Sequence, residues 1–201
     1  MPSTPFNIPR IVTELRRGNL VITPTDTIYG ILADALNPVA VDKVFAAKHR
    51  DPQKPLLLLM SDPTMISAYT TGLTPLEQGI IERYLPGPLT ILLPKNSQIP
   101  DQITGGRPLV GIRIPDHPEL LEIIRTVGHP LISTSANLAG EPAITHPSQL
   151  SHELIEHLAY IEDRGAVDQA PSSLIQVVDE QIKVLRSGPV AEQILRERNM
   201  L

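Results

Sequence analysis

The sequence predicts an α/β fold in which an open, twisted, mixed sheet is flanked by helices. Short apolar runs of strand length alternate along the chain with amphipathic segments of helical period. The connections between the apolar runs are not uniform, which points to a mixed sheet and not a purely parallel one. The 201 residues are 41% hydrophobic and 19% charged, enough to bury one core without disulfide or metal staples. No linker-like or low-complexity stretch divides the chain, so residues 1–201 read as a single domain.

Each element has its own signal. Ile8, Ile11, Val12 and Leu15 recur at helical spacing, and Gly18 marks the stop. Leu20-Val21-Ile22 reads as a buried strand that runs into the turn residues 23–27. Residues 38–47 place Val41, Val44 and Phe45 on one helical face, and Asp51-Pro52 breaks the helix just beyond Lys48-His49-Arg50. A strand is expected at 56–60 and helices at 61–70 and 74–85. Pro86-Gly87-Pro88 then turns the chain into a strand at 89–93. A strand at 109–114, a helix at 118–127 and a strand at 130–134 follow. The remainder reads as a loop at 145–149, a helix around 148–157, strands at 158–163, 174–178 and 182–185, and a closing helix at 190–198.

Composition narrows the function classes. There are no cysteines, which excludes a disulfide framework, a thiolate metal site and a catalytic cysteine. The first ten residues hold no apolar run like that of a signal peptide. The longest apolar run, 56–60, falls far short of the roughly 20 residues of a membrane span. A cytoplasmic protein without membrane association is therefore expected. The net charge of −5 argues against general RNA coating, although an acidic chain can carry a local positive cleft. Aromatic residues make up 3%, with no Trp, too few for a base-stacking platform. The phosphate loop GxxxxGK[ST], the dinucleotide turn GxGxxG, the zinc pattern HExxH and the elbow GxSxG are all missing.

Several polar segments sit at predicted strand ends. Thr25-Asp26-Thr27 can present hydroxyls and backbone N–H groups to a ligand, or form an ordinary turn in which Asp26 bonds its own backbone. Lys48 and Arg50, with Lys54 close by, can neutralise a polyphosphate, or simply favour the dipole at a helix C-terminus. Ser133-Thr134-Ser135-Ala136-Asn137 offers hydroxyls and an amide, or an N-cap. Arg113 lies inside an apolar strand, where an unpaired cation is costly. It calls for a carboxylate from the protein or from a ligand. Pro171-Ser172-Ser173 and Leu185-Arg186-Ser187-Gly188 flank late strands.

Taken in order, these segments resemble the YrdC/TsaC family of L-threonylcarbamoyladenylate synthases. The resemblance rests on TPTDTIYGI at 23–31, KHR at 48–50, KP at 54–55, YLPGPLTILL at 84–93 and VGIRIPDHP at 110–118. It continues through STSAN at 133–137, GEPA ending at 143, PSSLIQV at 171–177 and LRSG at 185–188. Their joint order and spacing, more than any one piece, make it specific.

The resemblance implies a YrdC-like fold with a concave basic cleft. It also implies a reaction joining L-threonine, bicarbonate and ATP into threonylcarbamoyl-AMP, with release of pyrophosphate. By position, Lys48 and Arg50 are the family's KxR pair, expected to face the ATP phosphates and carry catalysis. Lys54, Ser135, Asn137 and Arg186 fall at ATP contacts. Thr27, Arg113, Ser135 and Ser172 fall at L-threonine contacts, with Arg113 the natural partner of the carboxylate. In the mechanism that would follow, and not by family position, Asp26 is expected as an outer supporting residue. Mg²⁺ would arrive with ATP, with no tightly bound cofactor and no protein metal site. Implied partners are a transient transferase complex that modifies tRNA and, weakly, RNA itself. An RNA-binding member or a paralogue without synthase activity is the alternative. The chain keeps both the KxR and SxN patterns, which favours the synthase. Leu59 departs from members that carry a polar residue in that strand. The length resembles the short form, without a separate C-terminal domain.

Overall fold

The computed structural model describes residues 6–167 and 170–197. Among the described residues nine strands form one sheet: β1 (Leu20–Thr23), β2 (Gly30–Asp34), β3 (Leu57–Leu59), β4 (Leu89–Pro94), β5 (Leu109–Arg113), β6 (Leu131–Ser135), β7 (Leu158–Ile161), β8 (Ser173–Val178) and β9 (Gln181–Arg186). Their order is β7-β1-β2-β6-β3-β5-β4-β8-β9. The β1–β7, β3–β5 and β4–β8 pairs are parallel and the other five antiparallel, so the sheet is mixed and open as expected.

The helices are α1 (Ile8–Arg16), α2 (Pro38–Lys48), α3 (Pro63–Tyr69), α4 (Pro75–Tyr84), α5 (Asp101–Thr104), α6 (Pro118–Val127), α7 (His152–Ile155) and α8 (Ala191–Glu197). Side chains cap several of them. The Asn37 amide oxygen accepts from the Val39 and Ala40 N–H groups at 3.0 and 3.3 Å. Thr74 and Glu77 form a reciprocal capping box at the start of α4.

Strand alternation sorts the core into two layers. Val21, Leu32, Leu59 and Leu131 point to one face, where Ile11, Val12 and Leu15 of α1 meet Leu120, Ile123 and Ile124 of α6. Leu20, Ile22, Ile31, Ala33 and Leu58 point to the other, against Val41, Val44 and Phe45 of α2. Burial on both faces explains why β1 and β2 read as continuous apolar runs. The α1–α6 layer covers only part of its face, and the rest is where the site lies. Among the described residues no helix is long and apolar enough to cross a membrane.

Three expectations need correction. β2 was not anticipated, because Ile31-Leu32-Ala33 is a short run behind turn residues. It becomes a strand by pairing on both sides, Val21↔Leu32 with β1 and Ile31↔Thr134 with β6. The helix expected around 148–157 is a 3₁₀ turn at Pro147–Gln149 followed by α7. Extended backbone at Leu150 separates them, and the Ser151 hydroxyl restarts the helix by accepting from Leu154 N–H at 3.2 Å. The short α5 had no sequence signal. The end of the closing helix at residue 198 lies outside the described residues.

Candidate active site

The open part of the sheet becomes a cleft through register. Ser133, Leu57, Gly111, Leu92 and Gln176 stand side by side across β6, β3, β5, β4 and β8. All five line a cleft of about 750 Å³. Gly111 lowers its floor, since a Cβ there would already touch Thr90 Cγ2 at 3.4 Å. Gly30 does the same at one end, where a Cβ would stand 3.0 Å from Ser133 Oγ.

The loops at the strand ends supply the polar walls. In the turn after β1, Thr25 Oγ1 accepts from the N–H groups of Thr27 and Ile28 at 3.0 and 3.2 Å, which fixes Thr27 against the cleft. Tyr29, fully buried, anchors the next residues: its hydroxyl donates to Gly165 O at 2.8 Å and accepts from Arg164 N–H at 3.0 Å. Arg113 ends β5 beside Leu59, under the edge of the helical layer, and is 2% exposed. Its Nη1 donates to Thr27 Oγ1 at 2.9 Å and lies 3.2 Å from Asp26 Oδ1. Burial lowers the Arg113 pKa, with Asp26 opposing and Arg186 adding to the effect. The carboxylate that Arg113 requires is therefore present in the protein, as Asp26.

On the opposite wall, Arg186 donates from Nε to Ser172 O at 2.9 Å and from Nη2 to Ser172 Oγ at 3.0 Å. Ser172 Oγ also shares a hydrogen bond with Thr90 Oγ1 at 2.8 Å. Arg50 donates from Nε and Nη2 to the carbonyls of Lys54 and Pro55 at 3.3 and 2.7 Å, which lays its guanidinium along the rim. Burial lowers the pKa of Arg50 too.

Thr27, Arg50, Arg113, Ser135, Asn137, Ser172 and Arg186 all line the cleft. Lys48 and Lys54 do not. Lys48 was expected to face the phosphates, but it is 2% exposed and its Nζ donates to the backbone carbonyls of Ser135 and Asn137. The cause is local: α2 ends at Lys48, His49 takes a left-handed φ of 48°, and Lys48 O accepts from Ala139 N–H at 2.9 Å. The lysine thus fastens the Ser135–Ala139 segment from behind. Its pKa is lowered to about 8, first by burial and then by Arg50, with Glu141 opposing. Lys54 is exposed, and its carbonyl serves Arg50. His49 is also exposed and pairs with Glu153 at 3.0 Å.

Sequence reasoning missed Thr90, Arg107 and Glu141 among the lining residues. Thr90 interrupts an apolar strand and Glu141 lies in the GEPA segment, both usable signals; Arg107 lies in a loop and gave none. The lining carries four arginines (Arg50, Arg107, Arg113 and Arg186) and a single carboxylate, Glu141. Such a cleft suits an anionic ligand. Glu141 is the one lining side chain suited to approach a cation carried by that ligand. Among the described residues, no three His, Asp or Glu side chains converge as a metal site.

The Sua5/YciO/YrdC family model, described as "Telomere recombination", matches residues 13–188. The chain belongs to this family. It is 38% identical over 183 residues to a putative threonylcarbamoyl-AMP synthase of Methanocaldococcus jannaschii, covering 90% of this chain and 86% of that one. It is 34% identical over 181 residues to a threonylcarbamoyl-AMP synthase of Bacillus subtilis, covering 89% of this chain. There the chain spans about half of the relative's length, 52%. Pyrococcus abyssi Sua5, solved in complex with L-threonine, superposes with a TM-score of 0.84 at 31% identity, covering 94% of this chain and 56% of the other.

Proposed function

We propose that the chain is a threonylcarbamoyl-AMP synthase, a nucleotidyltransferase that joins L-threonine, bicarbonate and ATP and releases pyrophosphate. The observation that carries this reading is the convergence on one cleft of a buried arginine, Arg113 with Thr27, and two more open ones, Arg50 and Arg186. The names of the family relatives and the L-threonine complex of one of them support this choice of amino acid and product.

In this reading the threonine carboxylate meets Arg113, with Thr27 and Ser172 as neighbouring hydroxyls. Arg50 and Arg186 take the phosphates, with Ser135 and Asn137 beside them, and Mg²⁺ arrives on ATP as part of the substrate. Lys48 acts on the reaction through the carbonyls it holds. The threonine amine and bicarbonate give a carbamate and water. A carbamate oxygen then bonds to the α-phosphorus as the α–β phosphoanhydride breaks and pyrophosphate leaves. Fixed cations along the cleft stabilise the charge on the departing phosphates, and the walls align the carbamate for attack. The adenylate is then the donor for a tRNA-modifying transferase.

Incubation with ATP, L-threonine and ¹³C-bicarbonate, read by mass spectrometry, tests the reading. Threonylcarbamoyl-AMP carrying the label in its carbamoyl carbon is the expected product. An unlabelled adenylate, or AMP alone, contradicts it.

A further inference from the structure

Asp26 is the one carboxylate within ion-pair distance of Arg113 among the described residues. Its side chain is 7% exposed, and neither carboxylate oxygen has a hydrogen-bond partner there. Burying a carboxylate without hydrogen bonds is strongly unfavourable unless a charge compensates it. The compensating charge is Arg113, at 3.2 Å. The pair sits at ion-pair distance without the alignment of a hydrogen bond.

The two residues differ in what they face. Arg113 lines the cleft and Asp26 does not, so the carboxylate approaches the guanidinium from the protein side. Nη1 is taken up by Thr27 Oγ1 and Asp26. Nε has no acceptor, and Nη2 makes no hydrogen bond among the described residues. A guanidinium is a planar fork able to serve two anions at once. Held on one side by Asp26, with Nε itself buried, it leaves Nη2 for a ligand carboxylate.

We propose that Asp26 is a positioning residue for the amino-acid substrate: it holds the Arg113 fork so that Nη2 meets the substrate carboxylate. The proposal rests on the reading of Arg113 as the threonine-carboxylate contact. Without the Asp26 charge, the buried guanidinium turns toward other acceptors, and the loss falls on threonine and not on ATP, whose phosphates meet other arginines.

The test uses Asp26→Asn, which keeps the shape and removes the charge, and Asp26→Glu, which keeps the charge and moves it. Arg113→Ala gives the reference for complete loss. Pyrophosphate release is measured with threonine and ATP varied in turn, and folding is checked by circular dichroism. Asp26→Asn is expected to raise the threonine KM about tenfold or more, with the ATP KM and kcat within about threefold of wild type. Asp26→Glu falls between the two. An unchanged threonine KM in folded Asp26→Asn, or equal increases in both KM values, overturns the proposal. If Asp26→Asn does not fold, Asp26→Glu decides: a selective rise in threonine KM upholds it, and wild-type values overturn it. Wild-type protein that shows no threonine-dependent release fails the functional reading instead, a result distinct from either of these.

Discussion

Lys48 donates from a buried amine to the carbonyls of Ser135 and Asn137, and this changes what its substitution should do. Its pKa is about 8 in the fold against an ordinary 10.5. Between those values the unfolded chain holds a proton that the native lysine has released, so stability rises with pH across that window. Below pH 8 both states carry the proton, and the cost of burying the charge is fully present. Lys48→Met removes this titration. Urea unfolding at pH 7.5 and 9.5 should therefore show wild type gaining on Lys48→Met by about 1–2 kcal/mol at the higher pH. A gap that does not change with pH would mean that the amine titrates normally. The sequence displayed the need at Arg113, a cation in an apolar strand, but not its answer. Asp26 sits 87 positions away in the chain, and only the fold brings the two within 3.2 Å. Lys48 shows a related limit: its place near a helix end was legible, but the direction of its side chain depends on the left-handed turn at His49.

At the scale of elements, the cleft walls are the ends of strands, and their shape depends on glycines that let backbones meet. Gly188 is the sharpest case. A Cβ there would stand 2.5 Å from Ser173 N and 2.8 Å from Pro171 O, both main-chain atoms that cannot swing aside. Gly188→Ala should push the 171–173 segment and shift Ser172 from Arg186 and Thr90. The expected result is a loss of about 1–3 kcal/mol in thermal or urea unfolding together with a raised threonine KM. Wild-type stability and KM would show that the segment has slack. Strands and helices with strong period or proline punctuation, such as β4, β5 and α6, were legible from sequence. β2 was not, because its strand character comes from partners on both sides and not from its own residues. The break at Leu150 was equally hidden, since it depends on a cap formed by Ser151.

For the whole molecule, the sheet order places early and late segments on one surface. The turn after β1, the end of β6 and the loop before β8 meet across a single cleft although they are far apart in sequence. A chain with net charge −5 thus presents four arginines and one carboxylate along one cleft. The net charge argues against general RNA coating but allows a local positive cleft, and the fold forms one lined by four arginines. Of 17 Lys and Arg residues, four line the cleft, two of them, Arg113 and Arg186, at strand ends and two, Arg50 and Arg107, in loops. The central claim is that this one cleft holds all three substrates at once. It is tested most directly by pyrophosphate release from ATP with L-threonine and bicarbonate each left out in turn. Release that requires both, and falls to background when either is missing, is the predicted result. Release that persists without threonine or without bicarbonate would contradict it.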